Sequence, residues 1–442
     1  MPSKTRLTAE HERLADPTHA IVPPWRRWGC YVTERAWGTV REDYSASGDA
    51  WSYLPHDHAR SKAYRWGEDG IAGLCDRYQL LTFAVALWNG KDPVLKERMY
   101  GLTSSEGNRG EDVKEYYFYA DALPSGAYMK LVYKYPHAEY PYGRLLQENR
   151  SRGGGGMEFE LLDSGVFDED RYFDVVVEYA KAGPEDICIR IEAFNRGPQD
   201  HVLHVLPHLW FRNTWGWGAE RRQQPVITGG PSGNGFQSLT ADDSNADPLP
   251  NLMFEYRLGP RHLYAAADGQ PLFTNNETNS ERLYGSPSVS RFVKDAFHRH
   301  VVNGEDCVNP DGFGTKAALH FTANVRAGGS AVWRLRLSNQ VLPDPLAEVD
   351  ATVTTRRREA DEFYDVIHPP KATADEKLVQ RQALAGMLWT KQIYLFDVTQ
   401  WLTGDNPQMP PPASRHQMRN NHWKHLNSMR ILSMPDKWEY PW

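Results

Sequence analysis

This chain of 442 residues has few cysteines, no net positive charge and no long apolar run. The four cysteines are widely separated, so they predict neither a disulfide framework nor a metal site. The net charge of −7 argues against a nucleic-acid or anionic-membrane binder, which needs clustered Lys and Arg. The longest apolar stretch, Leu80 to Trp88, is far shorter than the roughly 20 residues of a membrane-spanning helix.

Targeting signals and common catalytic motifs are also missing. The segment from Met1 to Pro17 is polar and has no apolar stretch typical of a secretory signal. Together with cysteines that we interpret as mostly buried, reduced thiols, this predicts a soluble, cytoplasmic protein. No G-x-S-x-G, no P-loop and no G-x-G-x-x-G in the right context is present, so the sequence indicates no nucleophile, no phosphate cradle and no cofactor.

Aromatic residues, in contrast, are abundant, with 15 Trp, 22 Tyr and 16 Phe making up 12% of the chain. Large amphipathic rings serve two purposes in soluble proteins: they fill a wide core, or they stack on the apolar faces of sugar rings. Core filling is the simpler explanation from composition alone. Core filling and sugar stacking can therefore be distinguished only by the motifs in which the aromatic residues occur.

Hydrophobic residues alternate with polar ones from about Trp25 to Gln340. The pattern is clearest in Asp186–Asn195, Leu319–Val325 and Ala331–Leu337, where every second residue is apolar. Many strands with one apolar face each, separated by Gly and Pro turns, are typical of antiparallel sheets packed face to face. The sequence therefore predicts a mainly β protein with a large antiparallel β-sandwich.

The periodicity becomes helical after Pro343. Asp344 and Pro345 predict the start of a charged helix that ends at about Ile367. A capping box at Thr373 predicts a second helix up to Phe396. Its apolar face is formed by Val379, Ala383, Leu384, Met387 and Leu388. We therefore divide the chain into a β-sandwich (residues 1–343), a helical linker (344–370) and a further helical part (371–442), and we expect the sandwich to be the stable unit.

The densest mixture of carboxylates, guanidinium groups and Trp lies between residues 35 and 73. A site for a polyol needs this mixture, because charged groups bind pairs of hydroxyls while an indole covers the apolar face of the ring. The alternative is a buried network of ion pairs that ties loops to the sandwich. The candidate substrate-binding residues in this region are Arg41, Glu42, Asp43, Trp66, Glu68 and Asp69.

A metal site is a weaker alternative. His56 and His58 would share one face of a strand and could act as two ligands. A third ligand would have to come from Asp57, His204 or His208, and none of these has typical metal-site spacing. We therefore assign no metal ligand.

Seven segments together resemble large bacterial members of glycoside hydrolase family 63, which are relatives of the processing α-glucosidases. They are Trp37–Tyr44, Pro55–Arg60, Arg65–Gly70, Lys114–Tyr119, Phe167–Val175, Leu206–Trp215 and Met434–Trp442. The resemblance implies an N-terminal β-super-sandwich, a helical linker and an (α/α)6 toroid that holds the active site. It also implies inverting hydrolysis, in which one carboxylic acid protonates the leaving oxygen and one carboxylate activates water.

The chain departs from this family at its end. In relatives the segment that matches Met434–Trp442 leads to a W-D-x-x-F-H-like motif whose Asp is the general acid, and the general base follows far downstream. Neither motif occurs here, and Asp436 and Glu439 are not those residues, so no catalytic residue is assigned. The resemblance implies that residues 371–442 are the start of an incomplete toroid. It further implies that Trp438, Tyr440 and Trp442 wall a sugar subsite, unless they are core aromatics of the toroid.

Two functional hypotheses follow from these observations. The first is the N-terminal half of an inverting α-glucosidase that acts on α-glucosides or oligosaccharides and is inactive alone. It would be either a truncated product or one half of a split enzyme, whose partner is then a separately encoded toroid half. The second is a non-catalytic carbohydrate-binding or scaffold module. A metal-dependent hydrolase is a distant third. Neither nucleic acid nor a membrane is an expected partner.

Overall fold

The computed structural model describes residues 7–16, 22–35, 54–107, 112–218, 220–249, 252, 254–404, 411–417, 421–425 and 427–432. This part of the chain is mainly β, with two large antiparallel sheets and a few helices. No helix within it is both long and apolar enough to cross a membrane. All four cysteines are free thiols and buried, as predicted.

The strands are numbered in chain order. They are β1 Trp28–Gly29, β2 Leu74–Asp76, β3 Leu81–Trp88, β4 Gly101–Leu102, β5 Asp112–Val113, β6 Tyr117–Ala122, β7 Tyr128–Pro136, β8 Tyr172–Gly183, β9 Asp186–Asn195, β10 His201–Phe211, β11 Val226–Gly229, β12 Phe236–Asp242, β13 Arg261–Ala266, β14 Gln270–Thr274, β15 Phe313–Gly314, β16 Lys316–Val325, β17 Ser330–Ser338, β18 Lys391–Asp397 and β19 Asn427–Leu432. One sheet has the order β1-β2-β3-β10-β16-β14, and the other has the order β15-β11-β12-β13-β17-β9-β8-β7-β6. Two further pairs are β4-β5 and β18-β19.

The helices are numbered in the same way. They are α1 Ala9–Leu14, α2 His56–Ala59, α3 Tyr142–Arg152, α4 Ser280–Tyr284, α5 Ala296–Asn303, α6 Val349–Ile367, α7 Ala374–Trp389 and α8 Val398–Thr403. Single 3-10 turns occur at Pro24–Arg26, Ser104–Glu106, Leu161–Ser164, Asp168–Asp170 and Ala413–Gln417.

The alternation in the sequence places the core between the two large sheets. In β9, Ile187, Ile189 and Ile191 are almost fully buried in the main apolar cluster, which also takes side chains from β3, β10 and β16 of the other sheet. On the opposite face of β9, Arg190 forms an ion pair with Glu178 of the neighbouring strand β8. The prediction of antiparallel sheets is therefore confirmed, and the arrangement is consistent with a β-sandwich. The prediction of a single apolar face for each sheet is wrong, because smaller buried clusters also cover the outer faces, under α6 and α5.

Helix α6 covers the outer face of the nine-stranded sheet. It buries Val349, Val353, Ala360 and Tyr364 against side chains of β7, β8 and β9. Their spacings of four, seven and four residues place them on one stripe along the helix. The helix ends at Ile367 as predicted but begins at Val349 rather than at Pro345. The residues before Val349 form a turn in which the Pro345 carbonyl accepts a hydrogen bond from Arg336 Nη1 at 3.3 Å.

Helix α7 has the predicted capping box, in which Thr373 and Glu376 exchange hydrogen bonds, but it ends at Trp389. The predicted continuation to Phe396 is wrong, because the aromatic and aliphatic residues that follow form the strand β18. Val379 and Met387 of the predicted apolar face are 59% and 68% exposed. The helix nevertheless packs on the sandwich, mainly against the edge strand β6.

Trp389 makes the contact between α7 and the edge strand β6. Its indole stacks on the Tyr119 ring with 5.2 Å between centroids, and its Nε1 donates a hydrogen bond to Asp121 O at 3.1 Å. Arg381, two turns earlier on the helix, pairs with the Asp121 and Asp361 carboxylates. Trp389 and Arg381 thus attach the start of the C-terminal part to the edge strand β6 and to α6, and Ala385 packs into the main apolar cluster beside Trp389.

Lys181, near the end of β8, ties the N-terminal segment to the nine-stranded sheet. Its buried ammonium donates hydrogen bonds to Trp25 O and Trp28 O, both at 2.7 Å, and to Ser125 O at 3.0 Å. Three backbone carbonyls from two separate segments therefore depend on one side chain.

We predict that Lys181→Met lowers the free energy of unfolding by about 2–4 kcal/mol, because it leaves buried carbonyl groups without a donor. Urea denaturation followed by tryptophan fluorescence measures the change. The exposed Lys91→Met variant is the control and should shift stability by less than about 0.5 kcal/mol. Equal stabilities for the two variants would contradict the role given to Lys181.

Candidate functional site

Three of the nine candidate residues, Trp66, Glu68 and Asp69, lie in the described part of the chain, in the connection between α2 and β2. The other six lie outside the described residues, and the structure tests none of their predicted roles. They are Arg41, Glu42, Asp43, Trp438, Tyr440 and Trp442.

Glu68 is directed into the protein and is only 1% exposed. Its Oε1 accepts a hydrogen bond from Asn276 Nδ2 at 2.7 Å, and its Oε2 lies 3.7 Å from the Lys294 ammonium. Burial raises the pKa of the Glu68 carboxyl, while Lys294 acts in the opposite direction. Lys294 also lies 3.8 Å from the centroid of the Tyr64 ring. The carboxylate of Glu68 is therefore part of a buried charged cluster.

Asp69 is also buried, with its carboxylate 3.0 Å from Arg98 Nε. Tyr64 donates a hydrogen bond from its hydroxyl to the same carboxylate oxygen at 3.3 Å. The backbone next to Asp69 is fixed too, because Gly70 N donates to Thr33 O at 2.8 Å. The structure thus directs the two carboxylates towards protein partners rather than towards a cavity.

Trp66 lines a cavity instead. The Arg65 guanidinium lies 4.0 Å from the centroid of the Trp66 ring and 5.9 Å from that of Trp217, so it stands between two indoles. Trp217 Nε1 donates to Asn213 O at 2.8 Å, which fixes the orientation of that ring. Trp66 itself is almost completely buried, whereas Trp217 is half-buried.

The cavity has a volume of about 140 Å³ and is lined by both polar and apolar residues. A cavity of about 150 Å³ holds one benzene molecule, so there is room for a single six-membered ring. The lining residues are Arg65, Trp66, Arg212, Asn213, Thr214, Trp217, Gly218, Arg222, Leu249, Leu252, Leu395 and Gln400. Among the described residues, no carboxylate belongs to this lining. We call this cavity the indole pocket.

The C-terminal part of the chain closes one side of the indole pocket. Leu395 N of β18 donates a hydrogen bond to Trp66 O at 2.9 Å, and the Leu395 and Gln400 side chains belong to the lining. The pocket is therefore built by the sandwich and by the segment that follows the linker helix. In the described part of the chain, the Thr214 hydroxyl and the side-chain amide of Gln400 have no hydrogen-bond partner and remain available to a ligand.

Sequence reasoning missed Trp217, Arg212 and Arg222 as lining residues. Arg212 Nη1 donates to Arg65 O at 2.7 Å, which brings the end of β10 next to Trp66. The segment Leu206–Trp215 had been singled out for its resemblance, and Trp217 lies two residues beyond it. Only the pairing of β10 with β3 brings these residues beside Trp66, which a linear motif cannot reveal.

The histidine pair is not arranged as predicted. His56 and His58 lie on the short helix α2, not on a strand, and His56 packs its ring against Tyr100 and Tyr142. His204 and His208 lie on β10. Throughout the described ranges, no three His, Cys, Asp or Glu side chains are grouped closely enough to hold a metal ion.

No protein-family model matches the chain. It is 39% identical over 485 residues to the uncharacterized protein YMR196W of Saccharomyces cerevisiae, a match that covers 98% of this chain and 43% of the relative. The chain therefore spans less than half the length of that curated relative.

The chain shows weak structural similarity to two solved structures of carbohydrate-active enzymes. One is a putative kojibiose phosphorylase from the human microbiome, with a TM-score of 0.18 and 9% identity over 52% of this chain and 24% of the other. The second is a galactose mutarotase-related enzyme from Lactobacillus acidophilus, with a TM-score of 0.20 and 8% identity over 63% and 98%. Both TM-scores are too low to carry an argument about this chain.

We predict that Asp69→Asn lowers the free energy of unfolding by about 3 kcal/mol or more, because it leaves the Arg98 guanidinium buried and unpaired. The measurement is urea denaturation, with the exposed Asp268→Asn as a control that should change stability by less than about 0.5 kcal/mol. Unchanged stability combined with a loss of sugar binding would instead make Asp69 a ligand-binding residue.

Proposed function

We propose that this chain is the N-terminal part of an inverting α-glucosidase-type glycoside hydrolase that resembles family 63, and that it binds α-glucosides or oligosaccharides. The general acid and the general base come from residues other than those of the indole pocket. The observation that carries this proposal is a pocket of one-ring size that offers two indoles and several hydrogen-bonding groups but no described carboxylate.

The composition of the indole pocket supports binding of a sugar. A pyranose ring has apolar faces that an indole can cover and hydroxyl groups around its edge that need donors and acceptors. Trp217 presents a half-buried ring, and Thr214 and Gln400 supply polar groups at the same cavity. The volume of about 140 Å³ limits the occupant to one ring, so the rest of an oligosaccharide would extend into solvent.

The same pocket argues against hydrolysis by the described residues. Inverting hydrolysis needs two carboxyl groups about 6.5–9.5 Å apart, with the scissile bond and a water molecule between them. Glu68 and Asp69 follow Trp66 in sequence, but one contacts Lys294 and the other contacts Arg98 inside the protein. We infer that they brace the pocket wall rather than act on a substrate.

The division into a sandwich (1–343), a linker (344–370) and the first part of a toroid (371–442) belongs to this proposal. Its support is that β18 contacts the indole pocket directly, through the hydrogen bond from Leu395 N to Trp66 O. In this arrangement the sandwich would position a catalytic toroid and extend its substrate cleft. We also propose that Trp438, Tyr440 and Trp442 wall the neighbouring sugar subsite, and that Arg41, Glu42 and Asp43 line or brace the cleft.

A non-catalytic carbohydrate-binding module is the second candidate, because the pocket by itself has the features of a binding site without chemistry. The two candidates differ in affinity. A module that works alone should bind glucose oligomers at millimolar concentration or tighter, whereas the sandwich of a glycosidase should bind them more weakly until a toroid completes the cleft.

We predict that the purified chain releases no glucose from α-glucosyl disaccharides, because the indole pocket lacks both an acid and a base. Enzymatic detection of glucose over a day at several pH values is the measurement, with a commercial α-glucosidase as the positive control. Sustained turnover that scales with protein concentration would overturn the proposal.

We predict that Trp217→Ala weakens binding of glucose oligomers about tenfold. Loss of roughly 50 Å² of apolar contact corresponds to about 1.3 kcal/mol, close to a factor of ten in the dissociation constant. Isothermal titration calorimetry measures the change, and Trp423→Ala removes an exposed indole outside the pocket as a control. Equal affinities of the two variants would exclude the indole pocket as the sugar site.

A further inference from the structure

A second, larger cavity of about 600 Å³ lies on another side of the C-terminal part. It is enclosed by the N-terminal segment around β1, the turn between β2 and β3, the turn between β6 and β7, and the junction of α7 with β18. Its residues are distinct from those of the indole pocket. We call it the cationic cavity because its lining contains three positively charged side chains.

Three positively charged side chains, those of Arg26, Arg77 and Lys391, line this cavity. No carboxylate in the described part of the chain belongs to the lining, and none of the three cations forms an ion pair with a described acidic residue. This is unusual for the molecule, because many of its other arginines and lysines, buried ones included, are paired with Asp or Glu, as in the pairs Arg98–Asp69 and Lys316–Glu97.

Tyr31 contacts the three segments that carry these cations. Its ring centroid lies 5.6 Å from the Arg77 guanidinium, and its hydroxyl donates a hydrogen bond to Arg26 O at 2.9 Å. Its own carbonyl accepts a hydrogen bond from Ile393 N at 2.8 Å, which fixes the strand that carries Lys391. The charges therefore come from three segments that are distant in sequence, and Tyr31 contacts each of these segments.

The positive charges act on one another across the cavity. The pKa of the Lys391 ammonium is lowered by burial and by the positive charges of Arg77 and Arg26. Like charges held together in a partly buried site destabilise the charged forms, and a bound anion removes this repulsion. The arrangement therefore favours an occupant with negative charge.

We propose that the cationic cavity binds a small organic phosphate, such as a sugar phosphate or a nucleotide. A phosphomonoester carries a charge of about −1.5 to −2 near pH 7 and offers three acceptor oxygens. It therefore suits a site with three cations better than a ligand that carries a single carboxylate. Arginine guanidinium groups bind phosphate oxygens in pairs. The cavity volume lies within the roughly 300–1,000 Å³ of small-molecule sites, so an organic group fits beside the phosphate.

Occupation of this cavity would also strengthen the attachment of the C-terminal part. Lys391 belongs to β18, while Arg26 and Arg77 belong to the sandwich side of the cavity. A phosphate that contacts all three cations stabilises the arrangement in which β18 lies against Tyr31, because a ligand stabilises the state that binds it. This inference does not depend on the proposed glycosidase function.

The first test is isothermal titration calorimetry of the full chain with pyrophosphate, with glucose 6-phosphate and with glucose, all at the same ionic strength. We expect one saturable site for the two phosphates and none for glucose in this cavity. Arg77→Gln and Lys391→Gln should each weaken phosphate binding about tenfold or more, because each removes a charge-assisted hydrogen bond. The control Lys371→Gln removes an exposed charge outside the cavity and should leave affinity unchanged.

A second measurement uses the unmodified chain and so does not depend on the folding of variants. An amine-acylating reagent is applied with and without pyrophosphate, and the labelling of Lys391 and Lys371 is compared by mass spectrometry. We expect pyrophosphate to protect Lys391 and not Lys371. Equal labelling of Lys391 with and without pyrophosphate, or equal binding of chloride at the same ionic strength, would overturn the proposal.

Discussion

The pairing of buried charges at one end of the sandwich is the constraint on which the candidate site depends. Three consecutive residues, Lys96, Glu97 and Arg98, each contact a different partner at 2.7–3.0 Å: Glu115, Lys316 and Asp69. Because a buried charge without a partner is strongly destabilising, this short segment fixes three separate parts of the chain relative to one another. Asp69 is one of those parts, and its position determines where the neighbouring Trp66 meets the indole pocket. The aromatic wall of the pocket is thus held by electrostatics inside the protein.

The strands could be predicted from the sequence because their cause is local. Alternation in Asp186–Asn195 requires only that one face of a strand is buried, and β9 has these bounds in the structure. The capping box at Thr373 is equally local, and it too is present. The end of α7 was mispredicted because both a helix and a strand accommodate a run such as Ile393–Phe396. Pairing of β18 with β19, which the sequence does not reveal, decides between them.

The indole pocket could be predicted only in part, for a related reason. Trp66 was recognised within a charged aromatic segment, but the same argument selected Glu68 and Asp69, whose carboxylates point away from the cavity. The side chains of neighbouring residues point in different directions, and the composition of a segment does not reveal which side chains face a cavity. Trp217 comes from a segment far along the chain and reaches the pocket only through the pairing of β10 with β3. The cationic cavity was not anticipated at all, because its three charges are isolated in the sequence and share only a tertiary location.

The strand β18 connects the two cavities. Its Ile393 N donates to Tyr31 O at the cationic cavity, and its Leu395 N donates to Trp66 O at the indole pocket. These two amides are two residues apart on one short strand, so a shift of β18 that loosens one contact also disturbs the other. A ligand that stabilises the position of β18 at one cavity must therefore favour the formed wall of the other. By thermodynamic linkage the effect is reciprocal, and it cannot exceed the difference in a ligand's affinity for the attached and the detached positions of the strand.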